Sequence, residues 1–212
     1  MKLYNFFRSG TSHRTRIALN LKGLRYDYVP INLRKGEDRG DRYLALNPQG
    51  LVPLLELEGH QLTQSPAIIE YLEERWPDPP LLPADALGRA RVRALAAIVG
   101  CDIHPINNLR ILNELRSTFG ADEEAVKRWC GKWIFAGFEA IERLLNEHQQ
   151  RERFCYGDSP TLADVYLVPQ VYSARRFEVD LTPFPTIVKI DKACGELAAF
   201  QAAEPEKQPD AG

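Results

Sequence analysis

The stretch from Pro77 to Pro83 contains four prolines. Neither a helix interior nor a central strand tolerates that density, because each proline lacks a backbone N–H and fixes φ. The chain must therefore break there, and the pattern on either side differs. Before the prolines, short strand and helix signals alternate. Leu3 to Phe7 is an apolar and aromatic run suited to a buried strand. Ser12 is placed to cap a helix running to about Lys22, with Ile17, Ala18 and Leu21 on one face and Gly23 at the left-handed position past its end. Tyr26 to Ile31 reads as a second strand, so strand, helix and strand form a parallel βαβ unit. The polar segment Arg34 to Asp41 looks mobile. Leu51 to Leu57 is a strand with Pro53 near its entrance, and Glu58-Gly59-His60 turns a hairpin into Gln61 to Gln64. Ser65-Pro66 opens a helix with Ile68, Ile69 and Leu72 facing inward, ended at Trp76.

After the prolines the pattern is helical almost throughout. Leu87 to Thr118 is one long helix, or two, interrupted at Pro105. Asp122 to Glu147 is another, with Val126, Trp129, Trp133, Ile134, Phe138, Ile141 and Leu145 as core candidates. Thr161-Leu162-Ala163-Asp164 resembles a capping box, with Asp164 in place of the usual Glu or Gln, and its helix carries Leu167, Val168 and Val171. Pro183 and Pro185 precede a last helix near Thr186 to Phe200, and the tail Glu204 to Gly212 is expected to fray. The expected organisation is a thioredoxin-like α/β domain over 1–80, a stiff proline linker, and an all-α domain over 87–212.

Composition narrows the functional classes. The 212 residues carry 27 basic and 29 acidic side chains, a net charge of -2, without a run of five like charges, which argues against a general nucleic-acid binder. No stretch approaches the ~18 apolar residues of a membrane span, and Met1 to Arg8 lacks the apolar core of a signal peptide. Cys101, Cys130, Cys155 and Cys194 are far apart with no CxxC pair, so neither a zinc site nor a dithiol redox centre is suggested. They read as reduced core thiols of a cytosolic protein.

Five segments could carry chemistry. Arg8-Ser9-Gly10-Thr11-Ser12-His13-Arg14 joins the first strand to the first helix. Ligands of open α/β sheets bind beyond the carboxyl ends of strands, and a helix N-terminus favours an anion. The same hydroxyls could equally form a plain capping cluster. Val52-Pro53, if cis, would present the Val52 backbone to an extended peptide. Gln64-Ser65 stands at another helix N-terminus and could hold a carboxylate, or simply cap. Within Cys101 to Arg110, His104 and Asn108 are four apart and would share a helix face. In Arg175-Arg176, an arginine aimed into a cleft would bind a carboxylate bidentately, although paired helical arginines are commonly solvated or salt-bridged.

Taken together the segments resemble the zeta class of glutathione transferases over nearly the whole chain. The matching stretches are YNFFRSGTSHRTRIAL from Tyr4, ALNPQGLVPL from Ala45, QSPAIIEYL from Gln64, CDIHPINNLRIL from Cys101 and GDSPTLADVYLVPQVYSARRFEVDLTPFP from Gly157. Within that class the chain looks like the bacterial maleylpyruvate and maleylacetoacetate isomerases. The resemblance implies glutathione bound between the two domains, a homodimer and a small dicarboxylate substrate. It implies that Ser9, with Gly10 and Thr11, supports the glutathione thiolate, and that Val52 pairs with the cysteinyl unit beside cis Pro53. Gln64 and Ser65 would hold the γ-glutamyl end. Asp102, His104, Asn108 and Arg110 would line the cleft, and Arg176 would face the substrate carboxylate, with Arg8 as a further cation. Eukaryotic zeta enzymes have Ser-Ser-Cys where this chain has Ser9-Gly10-Thr11. The Gly-Thr-Ser-His form looks like maleylpyruvate isomerases, whereas Asn107-Asn108-Leu109-Arg110 looks like bacterial maleylacetoacetate isomerases.

The implied reaction is cis–trans isomerisation of a maleyl keto acid to its fumaryl isomer. A thiolate adds to the alkene, rotation follows, and elimination restores the thiol, so glutathione is a cofactor. Ionising a thiol whose ordinary pKa is about 8.5 needs anion support, which Ser9, Thr11 and the helix N-terminus would provide. Two other readings remain: a general glutathione transferase or dehalogenase acting on small anionic electrophiles, and a non-catalytic scaffold of the same fold.

Overall fold

The computed structural model describes residues 1–147 and 151–211, and the chain divides into two compact units. The first contains Met1–Leu81 together with the segment from Glu196 onward, and the second spans Leu82–Gly195. No helix among the described residues is long and apolar enough to cross a membrane.

In the first unit, β1 (Lys2–Asn5), α1 (Gly10–Leu21) and β2 (Asp27–Pro30) form the expected βαβ turn, with β1 and β2 parallel and Leu3 opposite Tyr28. After α2 (Asp41–Leu44), β3 (Leu54–Leu57) and β4 (His60–Thr63) make an antiparallel hairpin, and β3 also pairs antiparallel with β1. The sheet order is β2-β1-β3-β4. Glu58 and Gly59, the two residues of the hairpin turn, both take positive φ, the conformation whose twist matches that of paired strands. Helix α3 (Ser65–Arg75) follows, and Ile68, Ile69 and Leu72 are buried with Ile17, Ala18, Leu54 and Leu55.

Several expectations are corrected. Ser9, not Ser12, caps α1: its Oγ accepts from the Ser12 N–H, while Ser12 is buried one turn further on. Gly23 does take the left-handed conformation past the helix end. The polar segment folds into 3₁₀ turns at Leu33–Lys35 and Glu37–Arg39, the first capped by Asn32, and then α2. The proline stretch is tied down: the buried Lys22 ammonium bonds Glu73 at 2.5 Å and the Pro79 carbonyl at 2.7 Å, and Glu73 accepts from the Leu81 N–H at 3.0 Å. Nor does the tail fray. Helix α9 (Ala198–Ala203) packs on α1, and Pro205–Lys207 forms a 3₁₀ turn. The physical reason is Arg16, fully buried, whose guanidinium donates to Asn5 Oδ1, the Phe7 carbonyl and the Ala203 carbonyl. The segment from Glu196 onward thus belongs with the first unit rather than the helical one; Gly212 lies outside the described residues.

The second unit is helical: α4 (Ala86–Ala97), a π-helical turn (Ile98–Ile103), α5 (Leu109–Phe119), α6 (Glu123–Glu147), α7 (Leu162–Arg176) and α8 (Pro185–Gly195). The expected last helix is thus α8 and α9, which fall in different units. Val126, Cys130, Ile134, Phe138, Ile141 and Leu145 form the buried stripe of α6, whereas Trp129 and Trp133 are half-buried, edge to face at 5.8 Å. Asp164 starts α7 as expected, accepting from the Thr161 N–H and hydroxyl at 2.8 Å, and also from the Cys155 N–H. Glu142, buried on α6, accepts from the N–H groups of Thr186 and Ile187 and so caps α8 from another helix.

Candidate functional site

The turn between β1 and α1 is closed by a set of backbone and hydroxyl hydrogen bonds. The Ser9 N–H bonds the Phe6 carbonyl at 3.1 Å and the Phe6 N–H reaches Ser12 Oγ, closing the turn so that the Ser9 hydroxyl stands at the N-terminus of α1. Ser9 Oγ is 2.8 Å from Thr11 Oγ1, which donates to the Val52 carbonyl at 2.8 Å. A hydroxyl has one proton. Thr11 gives its own to a carbonyl that can only accept, so Ser9 is the donor to Thr11. Thr11 therefore joins α1 to the Val52 loop and orients Ser9, a role that spacing alone does not reveal.

The Val52–Pro53 bond is cis. The Leu51 carbonyl beside it accepts from both the Tyr43 hydroxyl and Asn47 Nδ2 at 2.7 Å, which fixes the approach to Val52 from α2. Burial pushes the Tyr43 phenol up to about 12. Gly50 is required here: a Cβ on it would come within 2.7 Å of the Asp38 carbonyl, and its φ is +59°.

At the third segment, Gln64 has φ +66°, outside the region that ordinary side chains prefer. It occupies the cap position of α3 without a side-chain bond to that helix, and its Nε2 donates instead to Gln49 Oε1 at 2.5 Å. Ser65, expected as the cap, is the first helical residue. Its buried hydroxyl accepts from Arg14 Nε at 2.9 Å. Ser9, Gly10, Thr11, Val52, Pro53, Gln64 and Ser65 thus occupy neighbouring connections of one unit, crosslinked by Thr11 to Val52 and by Arg14 to Ser65. His13, in the same motif, is buried, and burial with the Arg16 charge holds its imidazole well below the usual pKa, hence neutral.

Cations gather here too. The guanidinium carbons of Arg8 and Arg34 lie 5.8 Å and 5.7 Å from the centroid of the Phe7 ring, within range of a cation–π contact. The sequence reading names Arg8 as a cation and includes Arg14 in the same segment without a role, and it assigns none to Arg34 or Gln49. Arg14 alone carried a signal, a basic residue on a helix face that the pattern otherwise makes apolar.

In the second unit, the expectation that His104 and Asn108 share a helix face is overturned. The His104 N–H reaches back five residues to the Val99 carbonyl, closing the π turn. Pro105, without an N–H, cannot continue that ladder, and Asn108 instead caps α5 by accepting from the Arg110 N–H at 3.2 Å. Asp102 and Arg110 are exposed on either side of this break. Such single π turns often accompany functional sites. At the end of α7 the paired arginines separate: Arg175 bonds Asp191 at 2.6 Å, while the Arg176 guanidinium lies 4.4 Å from the Phe177 ring centroid. Arg176 and Arg116 oppose the burial that raises the Cys130 thiol to about 11. Cys101 is exposed, against the expectation of four core thiols, whereas Cys130, Cys155 and Cys194 are buried.

These connections place a hydroxyl at one helix N-terminus, the Val52 backbone beside a cis proline, and a second helix N-terminus at Ser65. Similarity to known proteins shows the family. Residues 8–75 match the family model for the glutathione S-transferase N-terminal domain. A maleylpyruvate isomerase from a Ralstonia species is 66% identical over 210 residues, 99% of each chain. The solved holo structure of a maleylpyruvate isomerase, described as a bacterial zeta-class transferase, superposes with a TM-score of 0.99 at 66% identity over 100% of both chains. A maleylacetoacetate isomerase from Anaeromyxobacter dehalogenans, solved with glutathione in its active site, gives a TM-score of 0.89 at 46% identity, covering 100% of this chain and 97% of that one. Thioredoxin-like β1–α3 followed by helices α4–α8 is the architecture these proteins share, and this chain belongs to the zeta class of the glutathione transferases.

Proposed function

We propose that the chain is a glutathione-dependent cis–trans isomerase of maleyl keto acids, with maleylpyruvate as its first substrate and maleylacetoacetate as a second. The observation that carries this reading is the Ser9 hydroxyl at the N-terminus of α1, held by Thr11, which is itself anchored to the Val52 carbonyl. The Gly10-Thr11 form of the motif and the 66% identity to a maleylpyruvate isomerase favour that substrate.

Bound glutathione supplies a thiolate that adds reversibly to the cis double bond and so permits rotation about it. The chain's own residues make that possible. Ser9 turns its single proton from Thr11 to the sulfur, while Thr11 remains on the Val52 carbonyl. The N–H groups that open α1 and the positive end of its dipole bias the site toward negative charge. Gln64 and Ser65, at the start of α3, hold the γ-glutamyl carboxylate. Arg8, Arg110 and Arg176 are offered as anchors for the substrate carboxylates, and Asp102, His104 and Asn108 as neighbouring polar groups. A homodimer acting in the cytosol completes the proposal, and light scattering of the purified protein tests the dimer.

The deciding experiment mixes the chain, glutathione and each maleyl substrate, and follows product through a coupled fumaryl-keto-acid hydrolase. Turnover without loss of glutathione supports the isomerase. Glutathione consumption favours a conjugating transferase, and silence with both substrates favours a scaffold. Ser9→Ala should lower kcat/KM by about a hundredfold or more, the scale for removing one preorganised donor.

A further inference from the structure

The tail forms part of the scaffold beneath the proposed thiol site. Asp210 Oδ2 accepts from the Phe7 N–H at 3.1 Å, and Oδ1 accepts a short bond from the Tyr28 hydroxyl on β2. Phe7 precedes Ser9 by two residues. Its carbonyl is held as well, by the same Arg16 guanidinium that grips the Ala203 carbonyl at 3.0 Å. Both backbone groups of Phe7 are thus fixed by the tail or by a residue bonded to it. Gln208 folds the tail back on α9, donating to the Ala202 and Glu204 carbonyls at 2.9 Å and 2.8 Å. Ala211 then packs against the buried cluster of Phe6, Phe7, Tyr43, Val52 and Leu54. The one segment therefore bonds the turn that leads to Ser9 and packs on the apolar cluster that contains Val52.

We infer that Pro205 to Ala211 is a positioning element for the glutathione site, with Asp210 as a positioning residue that acts through Phe7 on Ser9, while Ala211 supports Val52. The inference rests on the site reading above and extends it to residues that touch neither glutathione nor substrate. Asp210 is half-buried, and a carboxylate accepting a backbone N–H makes a charge-assisted bond that fixes the turn more firmly than water does. Without it the β1–α1 turn can relax, and the Ser9 hydroxyl loses its register against the sulfur.

The test uses the full chain and glutathione itself. The pKa of the bound thiol is read from its thiolate ultraviolet absorbance across pH, beside KM for glutathione, KM for maleylpyruvate and the thermal midpoint. Asp210→Ala should raise KM for glutathione about three- to tenfold, the range for one net hydrogen bond, and raise the bound thiol pKa, leaving KM for maleylpyruvate within about twofold. Asp210→Asn, which keeps one acceptor oxygen, should lie between. A lower thermal midpoint with unchanged thiol pKa and glutathione KM would make the tail a mere staple and overturn the inference. Should Asp210→Ala fail to fold, Tyr28→Phe removes one hydroxyl bonded to Asp210 and should shift the thiol pKa in the same direction; no shift there would overturn it equally. If the unmodified chain does not bind glutathione, the site reading falls first and the inference with it. Normal binding that is indifferent to Asp210 defeats only the inference.

Discussion

The two units fix their polar residues by opposite means. In the first, Thr11 is tied to Val52 and Ser65 to Arg14, and Phe7, two residues before Ser9, is held by Asp210, all partners distant in sequence. In the second, Asp102, His104, Asn108 and Arg110 owe their placement to a local defect, a π turn followed by a proline and an asparagine cap. The lesson concerns tolerance. A crosslinked turn holds one register, so loss of a single contact is felt at the Ser9 hydroxyl. A segment placed by helix distortion depends on what the distorted turn packs against.

That contrast can be broken by mutation. In the second unit the largest effect is expected at the end of α7, where Arg176→Ala should lower kcat/KM for the maleyl substrate by about a hundredfold while KM for glutathione stays within about twofold. Equal loss of both would place Arg176 in structure rather than in substrate anchoring. Next comes Gly137 on α6, where a Cβ would lie 2.3 Å from Ile103 Cδ1 and 2.6 Å from Ile103 Cγ1. Gly137→Ala should cost about 1–3 kcal/mol by overpacking and raise substrate KM by displacing the π turn. Adding Ile103→Ala should restore KM if the clash is the cause, and denaturant melts with steady-state kinetics decide it. Thr11→Ser should keep most activity because the hydroxyl is retained, whereas Thr11→Val should lose about tenfold, on the scale of one hydrogen bond. Were the two variants equal, the Ser9–Thr11–Val52 chain would be dispensable.

The smallest effect is a titration. The Tyr43 phenol is raised from 10 to about 12, chiefly by burial. Its contribution is fully present below pH 10, where folded and unfolded phenols are both neutral. It is lost as pH rises from 10 through about 12, because only the unfolded phenol ionises easily. Tyr43→Phe should flatten that alkaline loss of stability, measured by melts between pH 9 and pH 12.

Much of this was legible in the residues. The alternation before Pro77, the hairpin at Glu58-Gly59 and the Asp164 start of α7 follow from local propensity, and all three are present. What was not legible depends on contacts across the chain. Ser12 looked like the cap because a serine precedes an apolar face, but Ser9 takes the role once the turn closes on Phe6. The tail looked free because its sequence is polar and proline-bearing, and nothing local announces that Arg16 and Phe7 provide its anchors. His104 and Asn108 looked like face-sharing neighbours because regular helix spacing was assumed across a proline that ends it.

Glu142 has a consequence for the order of events during synthesis. The first turn of α8 receives its acceptor from a residue 44 positions earlier, on α6. As a ribosome releases the chain, α6 is complete before Thr186 emerges, so the acceptor is already waiting. The first turn of the younger helix then meets an acceptor for N–H groups that an isolated helix would leave to water.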